Sequence, residues 1–240
     1  MNLTKNKLLI YGATGYTGRL ICERAKELGL NFSIAGRREE PLKELAVELD
    51  TTYEVFLVED NSGWKNALKD VYCLINAAGP FKETASLAMN ACIENKVHYL
   101  DISAELDSYQ LAGRLDNVAR ENNIMLLSGG GMFVSYDALA LHTALRADKP
   151  VKLSVAFRHF GGFSRGSIKS SKNIVDLGVL VRKNGEIIQA NDPQPKNFDF
   201  GEGEEECLPT PLGGIILSYK STGIKDIEEY FQILLLIFGK

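Results

Sequence analysis

The chain has 240 residues, of which 45% are hydrophobic and 24% charged, with a formal net charge of -4. This length accommodates one large domain or two modest ones with a well-buried core. The composition argues against nucleic acid as the main partner, because no basic excess is present to neutralise phosphates.

The first half of the chain alternates short apolar runs with helical spacing. The apolar runs predict strands over residues 7–11, 32–36, 53–58, 71–79, 98–102 and 124–129. The segments between them predict helices over residues 17–28, from Pro41 onward, and over 62–69, 84–95 and 106–121. Six strands that alternate with five helices predict an α/β fold, in which residues 1–148 form a Rossmann, doubly wound parallel sheet.

The second half has a different pattern and predicts a smaller α+β domain over residues 149–240, for substrate binding or oligomerisation. Residues 151–160 alternate as a strand does. Residues 178–188 predict a hairpin that turns at Asn184-Gly185. Residues 191–206 are polar and rich in proline and glycine, which predicts a loop.

Three glycines follow the first strand in "IYGATGYTGRL", residues 10–20. Glycine there permits a tight turn, a close approach of the backbone to a pyrophosphate, and close packing of the next helix, whose N-terminus favours an anion. The spacing is GxxGxxG rather than GxGxxG, but its place between strand and helix favours a dinucleotide site. The alternative is a glycine-rich turn that holds no ligand. The predicted phosphate-binding residues are Gly12, Ala13, Thr14, Gly15, Tyr16, Thr17 and Gly18.

The end of the second predicted strand indicates which dinucleotide binds. Sites for NAD place a carboxylate there, where it holds the ribose 2′-hydroxyl. This chain instead has Arg37 and Arg38 after Gly36. Because a guanidinium suits a 2′-phosphate that a carboxylate would repel, we expect NADP in preference to NAD. The alternative is that both arginines only belong to a solvated loop.

Two later loops complete the predicted cofactor site. Asp60 follows the third strand, where a carboxylate can meet the adenine edge, although an exposed loop acid fits the pattern equally well. The small residues of "NAAGPF" end the fourth strand and let the cofactor lie against the backbone. Those expected to line the nicotinamide side are Asn76, Ala78, Gly79 and Pro80.

The sequence offers three candidates for a group that moves a proton. None of the nine tyrosines has a lysine four residues on, which excludes the Tyr-x-x-x-Lys pair of short-chain dehydrogenases. Asp101 and Glu105 lie at the end of the fifth strand, on the edge where α/β sheets bind ligands. His159 lies on the predicted strand 151–160. Each has a structural alternative, as a capping acid or as a packed histidine.

The cysteines and the apolar runs bear on the compartment. Cys22, Cys73, Cys92 and Cys207 form no CxxC pair, so we expect buried thiols in a reducing compartment and no metal site. The N-terminus lacks a signal-peptide pattern. The longest apolar run, "ILLLIFG", is far shorter than the ~20 residues that span a bilayer. We therefore expect a cytoplasmic protein without a membrane span.

Between residues 6 and 231 the chain carries "IYGATGYTGRL", "AGR", "NAAGPF", "HYLDISAE" and "SYKSTGIKDIEEYF". In combination these segments resemble the saccharopine dehydrogenase-like oxidoreductases, which include saccharopine reductases and trans-acting enoyl reductases. The resemblance implies a Rossmann domain that binds NADP(H) or NAD(H), and a second domain that forms the substrate side and often a dimer contact. Relatives carry an Asp and a Pro where Met132 and Ser135 stand, whereas Asp137 is kept. Relatives are also longer, so we expect a C-terminally short member.

Motifs and resemblance together predict an NADP-dependent oxidoreductase. It would transfer a hydride between NADP(H) and a small imine, carbonyl or enoyl substrate. The expected partners are that small molecule and a second copy of the chain in a homodimer. The alternative is a non-catalytic NADP(H)-binding sensor or interaction protein, which the missing Tyr-x-x-x-Lys pair favours.

Overall fold

A computed structural model describes residues 6–158, 168, 176 and 178–232. The chain divides into two compact units. Unit 1 consists of Met1–Ser103 and Asp107–Gly131, and unit 2 of Ala104–Leu106 and Met132–Lys240. The unit boundary therefore precedes the predicted boundary at 148/149, because the helix that starts at Met132 packs against a later helix of unit 2.

Unit 1 is built on a parallel sheet. Its strands are β1 (Lys7–Tyr11), β2 (Phe32–Gly36), β3 (Thr52–Val55), β4 (Val71–Asn76), β5 (His98–Asp101) and β6 (Leu126–Leu127). The helices between them are α1 (Tyr16–Glu27), α2 (Glu39–Leu49), α3 (Asn61–Ala67), α4 (Phe81–Asn95), α5 (Leu106–Arg114) and α6 (Asp116–Glu121). The strand order is β3-β2-β1-β4-β5-β6, with every neighbouring pair parallel. This confirms the predicted Rossmann sheet and places its topological switch point between β1 and β4.

The core of unit 1 lies on both faces of this sheet. Successive side chains of a strand point to opposite faces, so Leu9 joins one apolar cluster and Ile10 the other. All five residues of β2 are buried, as expected of a strand that helices cover on both faces. The apolar runs of β1, β2 and β4 therefore give largely buried parallel strands, whose carboxyl ends meet at one edge of the sheet.

Several predicted elements of unit 1 have different lengths in the structure. Strand β3 ends at Val55 because its partner in the ladder, Gly36, is the last residue of β2. Strand β6 is only two residues long, because the chain turns toward Asp101 directly after it. The helix predicted over 106–121 is divided at Leu115, which separates α5 from α6.

Unit 2 combines a mixed sheet with two described helices. Its strands are β7 (Lys152–Phe157), β8 (Leu180–Lys183), β9 (Glu186–Gln189), β10 (Lys196–Asp199), β11 (Glu204–Pro209) and β12 (Asp226–Gln232). Its described helices are α7 (Met132–Arg146) and α8 (Gly214–Thr222). Strand β12 pairs with β8 and β11 in antiparallel fashion and with β7 in parallel. The α+β character predicted for the second half agrees with this arrangement.

The hairpin prediction is confirmed and the loop prediction is wrong. Asn184 and Gly185 have φ values of +52° and +88°, the left-handed pair that a two-residue hairpin turn needs. Residues 191–206, by contrast, contain β10 and the first half of β11, which pair with each other. In β10, the half-buried Lys196 and Phe198 alternate with exposed residues, as in a strand with one solvent-facing side. The ring of Phe198 packs on Tyr230 of β12.

Across the described helices, none is long and apolar enough to cross a membrane.

Candidate functional site

The glycine-rich turn after β1 is packed against other backbone. Gly12 has φ +81°, and a Cβ atom there would lie 2.7 Å from the backbone nitrogen of Ala78. A Cβ on Gly18 would collide with the carbonyl oxygen of Gly12. The N–H of Gly15 donates to that same carbonyl at 3.0 Å. Position 12 therefore requires glycine because its backbone is left-handed and because the loop after β4 packs against it. Position 18 requires glycine because α1 lies close to the turn.

The N-terminus of α1 is open toward the carboxyl edge of the sheet. Gly15 is its N-cap residue, and across the described ranges no side chain caps it. The first turn carries no acidic residue. Tyr16 is 72% exposed and Thr17 is exposed as well, whereas Ala13 is buried. The first N–H groups of α1 and its dipole are thus available to an anion.

The two arginines after β2 differ in their surroundings. Arg38 donates from Nη2 to the Thr14 hydroxyl at 3.3 Å, which ties its guanidinium to the glycine-rich turn. Arg37 is exposed and lies close enough to Tyr11 to affect the pKa of that phenol. Burial raises the pKa of Tyr11 to about 12, Glu59 adds to this rise and Arg37 opposes it. The structure therefore brings Arg38, rather than Arg37, onto the predicted phosphate-binding residues.

Asp60 has a local structural role. It is the N-cap residue of α3, and its carboxylate accepts hydrogen bonds from the backbone N–H of Ser62 at 2.9 Å and from the Ser62 hydroxyl at 2.6 Å. The Ser62 hydroxyl is the main cause of a lowered pKa at Asp60. Capping a helix is what Asp does well, so this contact alone accounts for an acid here.

The loop after β4 is held by buried side chains. Asn76 is fully buried, and its Oδ1 accepts the N–H of Ala78 at 3.0 Å. Thr84 donates to the carbonyl of Ala78 at 2.6 Å and accepts from Asn76 Nδ2 at 3.3 Å. Gly79 is exposed and Pro80 partly so. Asn76 thus shapes the loop from beneath, while Ala78 to Pro80 form its accessible side.

Asp101 is enclosed rather than open to a ligand. It has no exposed surface and accepts five hydrogen bonds at 2.7–3.1 Å. The donors are the hydroxyls of Tyr99, Ser108 and Ser128 and the backbone N–H groups of Ser103 and Gly129. Burial raises the pKa of Asp101, and these hydrogen bonds oppose the rise. Sequence reasoning missed all three hydroxyls, although a tyrosine and serines beside an acid in apolar runs could have suggested a buried network.

The sequence also singles out Glu105, His159 and Asp137. Glu105 is buried, at 2% exposure, and belongs to unit 2. His159 lies outside the described residues. Asp137, which the chain shares with the pattern of its relatives, accepts the Ser221 hydroxyl at 2.5 Å within unit 2. In the described part of the chain, no three His, Cys, Asp or Glu side chains are grouped as a metal site would require.

Known proteins share both halves of this architecture. Residues 8–126 match the family described as the saccharopine dehydrogenase NADP binding domain. A human saccharopine dehydrogenase-like oxidoreductase is 21% identical over 223 residues, which cover 84% of this chain and 47% of that protein. A lipid droplet localized protein of Caenorhabditis elegans is 24% identical over 143 residues, which cover 54% of this chain and 34% of that protein.

A solved structure extends the likeness over most of the chain. Apo saccharopine dehydrogenase (L-Glu forming) from Saccharomyces cerevisiae superposes with a TM-score of 0.65 at 16% identity, covering 95% of this chain and 54% of the yeast chain. At this identity the likeness establishes the fold. This chain spans less than half the length of the human and nematode proteins.

Proposed function

Because residues 8–126 belong to the saccharopine dehydrogenase NADP-binding domain family, we propose that this chain binds NADP(H) through unit 1 and acts as an oxidoreductase. The dinucleotide, when bound, supplies the hydride that is transferred. The substrate we propose is a small imine, carbonyl or enoyl compound. This proposal rests on the family match and on the site. It does not rest on the activities of the whole relatives, because those proteins are longer than this chain.

The open N-terminus of α1 is the observation that supports this proposal most strongly. A pyrophosphate fits there because Gly12 and Gly18 leave no side chain between the backbone and the anion. The uncapped N–H groups of α1 would donate to its oxygens. Ala78, Gly79 and Pro80, beside Gly12 at the switch point, would line the nicotinamide side, with Asn76 holding their loop from below.

We propose NADP rather than NAD on the strength of Arg38. Strand β2 ends in Gly36, so the carboxylate that would repel a 2′-phosphate is absent from that position. Arg38 is already tied to Thr14, whose hydroxyl is a second donor for a phosphate. Arg37, one residue earlier, would add charge without the same fixed geometry.

We also propose a reducing compartment such as the cytoplasm, and a homodimer. All four cysteines are free and buried, as stable thiols in such a compartment would be. The dimer proposal is supported by α7, which leaves Met132, Leu139 and Leu145 exposed, the last at 78%. Sedimentation velocity on the purified chain tests the dimer directly.

A calorimetric titration with NADPH and with NADH tests the cofactor proposal. We expect the unchanged chain to bind NADPH more tightly, and Arg38→Ala to weaken NADPH binding by about tenfold or more while leaving NADH binding unchanged. Arg24→Ala is the matched control, because it removes an exposed arginine of unit 1 whose guanidinium pairs with Glu27. Absence of binding by either dinucleotide would refute the proposal.

A non-catalytic NADP(H) sensor is the second candidate. It is favoured by Asp101, whose carboxylate is enclosed by five donors and cannot reach a substrate in this conformation. Turnover separates the two functions. A sensor binds the dinucleotide but leaves NADPH absorbance unchanged with imine, carbonyl and enoyl substrates, whereas an oxidoreductase consumes it with one of them.

A further inference from the structure

A continuous path of buried hydrogen bonds joins three loops at the carboxyl edge of the unit 1 sheet. The Tyr99 hydroxyl donates to Asp101 Oδ2 at 2.9 Å and accepts from Asn76 Nδ2 at 3.2 Å. Asn76 Oδ1 then accepts the N–H of Ala78 at 3.0 Å. Asp101, Tyr99 and Asn76 all have no exposed surface. The path therefore crosses from the end of β5 to the loop after β4 without meeting solvent.

Both ends of this path continue into backbone that would face the dinucleotide. At one end, Ala78 lies against Gly12 of the glycine-rich turn. At the other end, Asp101 Oδ1 accepts the N–H of Gly129, and the Asp101 carbonyl accepts the N–H of Gly130 at 2.7 Å. The loops after β1, β4 and β6 are thus connected through three side chains.

Donors and acceptors follow one another in a single order along the path. The Tyr99 hydroxyl gives its proton to Asp101 Oδ2. The Tyr99 oxygen then has its lone pairs free for an N–H, which turns the NH2 group of Asn76 toward it. The remaining oxygen of Asn76 faces the N–H of Ala78. Consecutive hydrogen bonds of this kind in a dry interior also strengthen one another.

We propose that Tyr99 is a positioning residue for the cofactor site, which sets dinucleotide affinity by fixing the Ala78 backbone through Asn76. The proposal rests on the function proposed above. Because Tyr99 has no exposed surface, it acts without touching the dinucleotide. Among the described residues, its hydroxyl links the carboxylate of Asp101 to the amide of Asn76.

The test compares Tyr99→Phe with Ser108→Ala. Each removes one buried hydroxyl that donates to Asp101 Oδ2, the first at 2.9 Å and the second at 2.7 Å. Only the first interrupts the path to Ala78, and phenylalanine keeps the buried ring. Melting temperatures of both variants measure the general loss of stability, which we expect to be similar.

Two readouts distinguish positioning from general stability. In the ligand-free protein, we expect Tyr99→Phe to speed amide hydrogen exchange in residues 76–79 and 10–15 by about fivefold or more, with little change in Ser108→Ala. By calorimetry, we expect the Kd for NADPH to rise by about three- to tenfold in Tyr99→Phe alone.

Equal exchange and equal Kd in the two variants would overturn the positioning role. If the unchanged chain binds neither dinucleotide, the proposed function fails, and the exchange comparison still decides whether Tyr99 fixes the loop. Faster exchange in Tyr99→Phe with an unchanged Kd would refute the claim that this loop sets affinity.

Discussion

A Cβ atom on Gly12 would lie 2.7 Å from the backbone nitrogen of Ala78. The turn after β1 and the loop after β4 therefore meet backbone to backbone, at the point where the strand order of the sheet reverses. Real Cβ atoms do not approach a backbone atom so closely, so only glycine can occupy this position. The contact between these two loops therefore accounts for a glycine here, independently of any ligand.

Gly12→Ala should remove dinucleotide binding and destabilise unit 1 strongly. The alanine would carry the cost of a left-handed backbone at φ +81° and would also have to displace Ala78, for a total of about 3 kcal/mol or more. Gly29→Ala is the control, because φ there is +63° and nothing lies within 4 Å of the added Cβ. We expect a loss of about 1 kcal/mol and unchanged binding for the control. Urea denaturation and calorimetry measure both; equal losses would contradict the steric argument.

Glu229 of β12 is a buried carboxylate at the start of α8. Its Oε2 accepts the N–H groups of Leu212 and Ile215 at 3.1 and 3.2 Å. Burial raises the pKa of Glu229 to about 8, although these hydrogen bonds oppose the rise. The folded protein therefore holds a proton that an unfolded glutamate, with a pKa of 4.5, releases.

Stability should fall as pH rises because of Glu229. A folded-state pKa above the unfolded value gives a contribution that is fully present below pH 4.5 and is lost as pH rises through about 8. Between pH 6 and pH 8 the loss should reach about 2 kcal/mol in urea denaturation. Glu229→Gln should abolish that part of the pH dependence, because the amide does not titrate.

Glu228 provides the control for this experiment. Partial burial would raise its pKa, but hydrogen bonds from Lys152, Lys196 and Tyr230 bring it to about 2. Its contribution is thus complete above pH 4.5 and is lost only as pH falls toward 2. Glu228→Gln should shift stability by the same amount at pH 6 and pH 8. A Glu229→Gln profile parallel to that of the unchanged chain would refute the assignment.

Variants of Asp60 distinguish a role in capping α3 from a role in binding the adenine. Replacement by Ala should cost about 1 kcal/mol, because Ser62 loses its capping partner, whereas Ser keeps an oxygen that can accept the same N–H. If capping is its role, Asp60→Ser leaves both the urea midpoint and the Kd for NADPH close to those of the unchanged chain. A Kd that rises in Asp60→Ser with an unchanged midpoint would instead identify Asp60 as a ligand of the adenine.

Local sequence pattern was sufficient for the Rossmann sheet and for the turn after β1. The apolar run of β1, the glycines after it and the amphipathic α1 are all determined within about twenty residues, so they can be read without knowing the tertiary contacts. The hairpin at Asn184-Gly185 was predictable for the same reason, since its two φ values follow from residue type. The choice of Arg38 over Arg37 could not be predicted from the local sequence, because it depends on a contact with Thr14 across the sheet edge.

Other features depend on pairing between distant segments. Strands β10 and β11 are polar, and β10 is a strand only because β11 and the Tyr230 ring of β12 lie beside it. Helix α7 is apolar on several sides, so its periodicity is weak, and the glycines before it suggest a loop. Asp101 stands at the edge where catalytic acids occur, and only the fold reveals that Tyr99 and Ser128 enclose it.

Gly185→Ala should weaken unit 2 without affecting the cofactor site. Gly185 has φ +88°, and a Cβ there meets no atom closer than the Tyr219 hydroxyl at 3.4 Å, so the cost is the left-handed backbone, about 1–2 kcal/mol. Asn184→Gly is the control, because glycine adopts the φ of +52° at that position without strain and should change stability by less than about 1 kcal/mol. Urea denaturation followed by circular dichroism measures both variants. Every residue proposed to hold the dinucleotide belongs to unit 1. The Kd for NADPH should therefore be the same in the unchanged chain and in both variants. A higher Kd in Gly185→Ala would show that the hairpin of unit 2 influences the site.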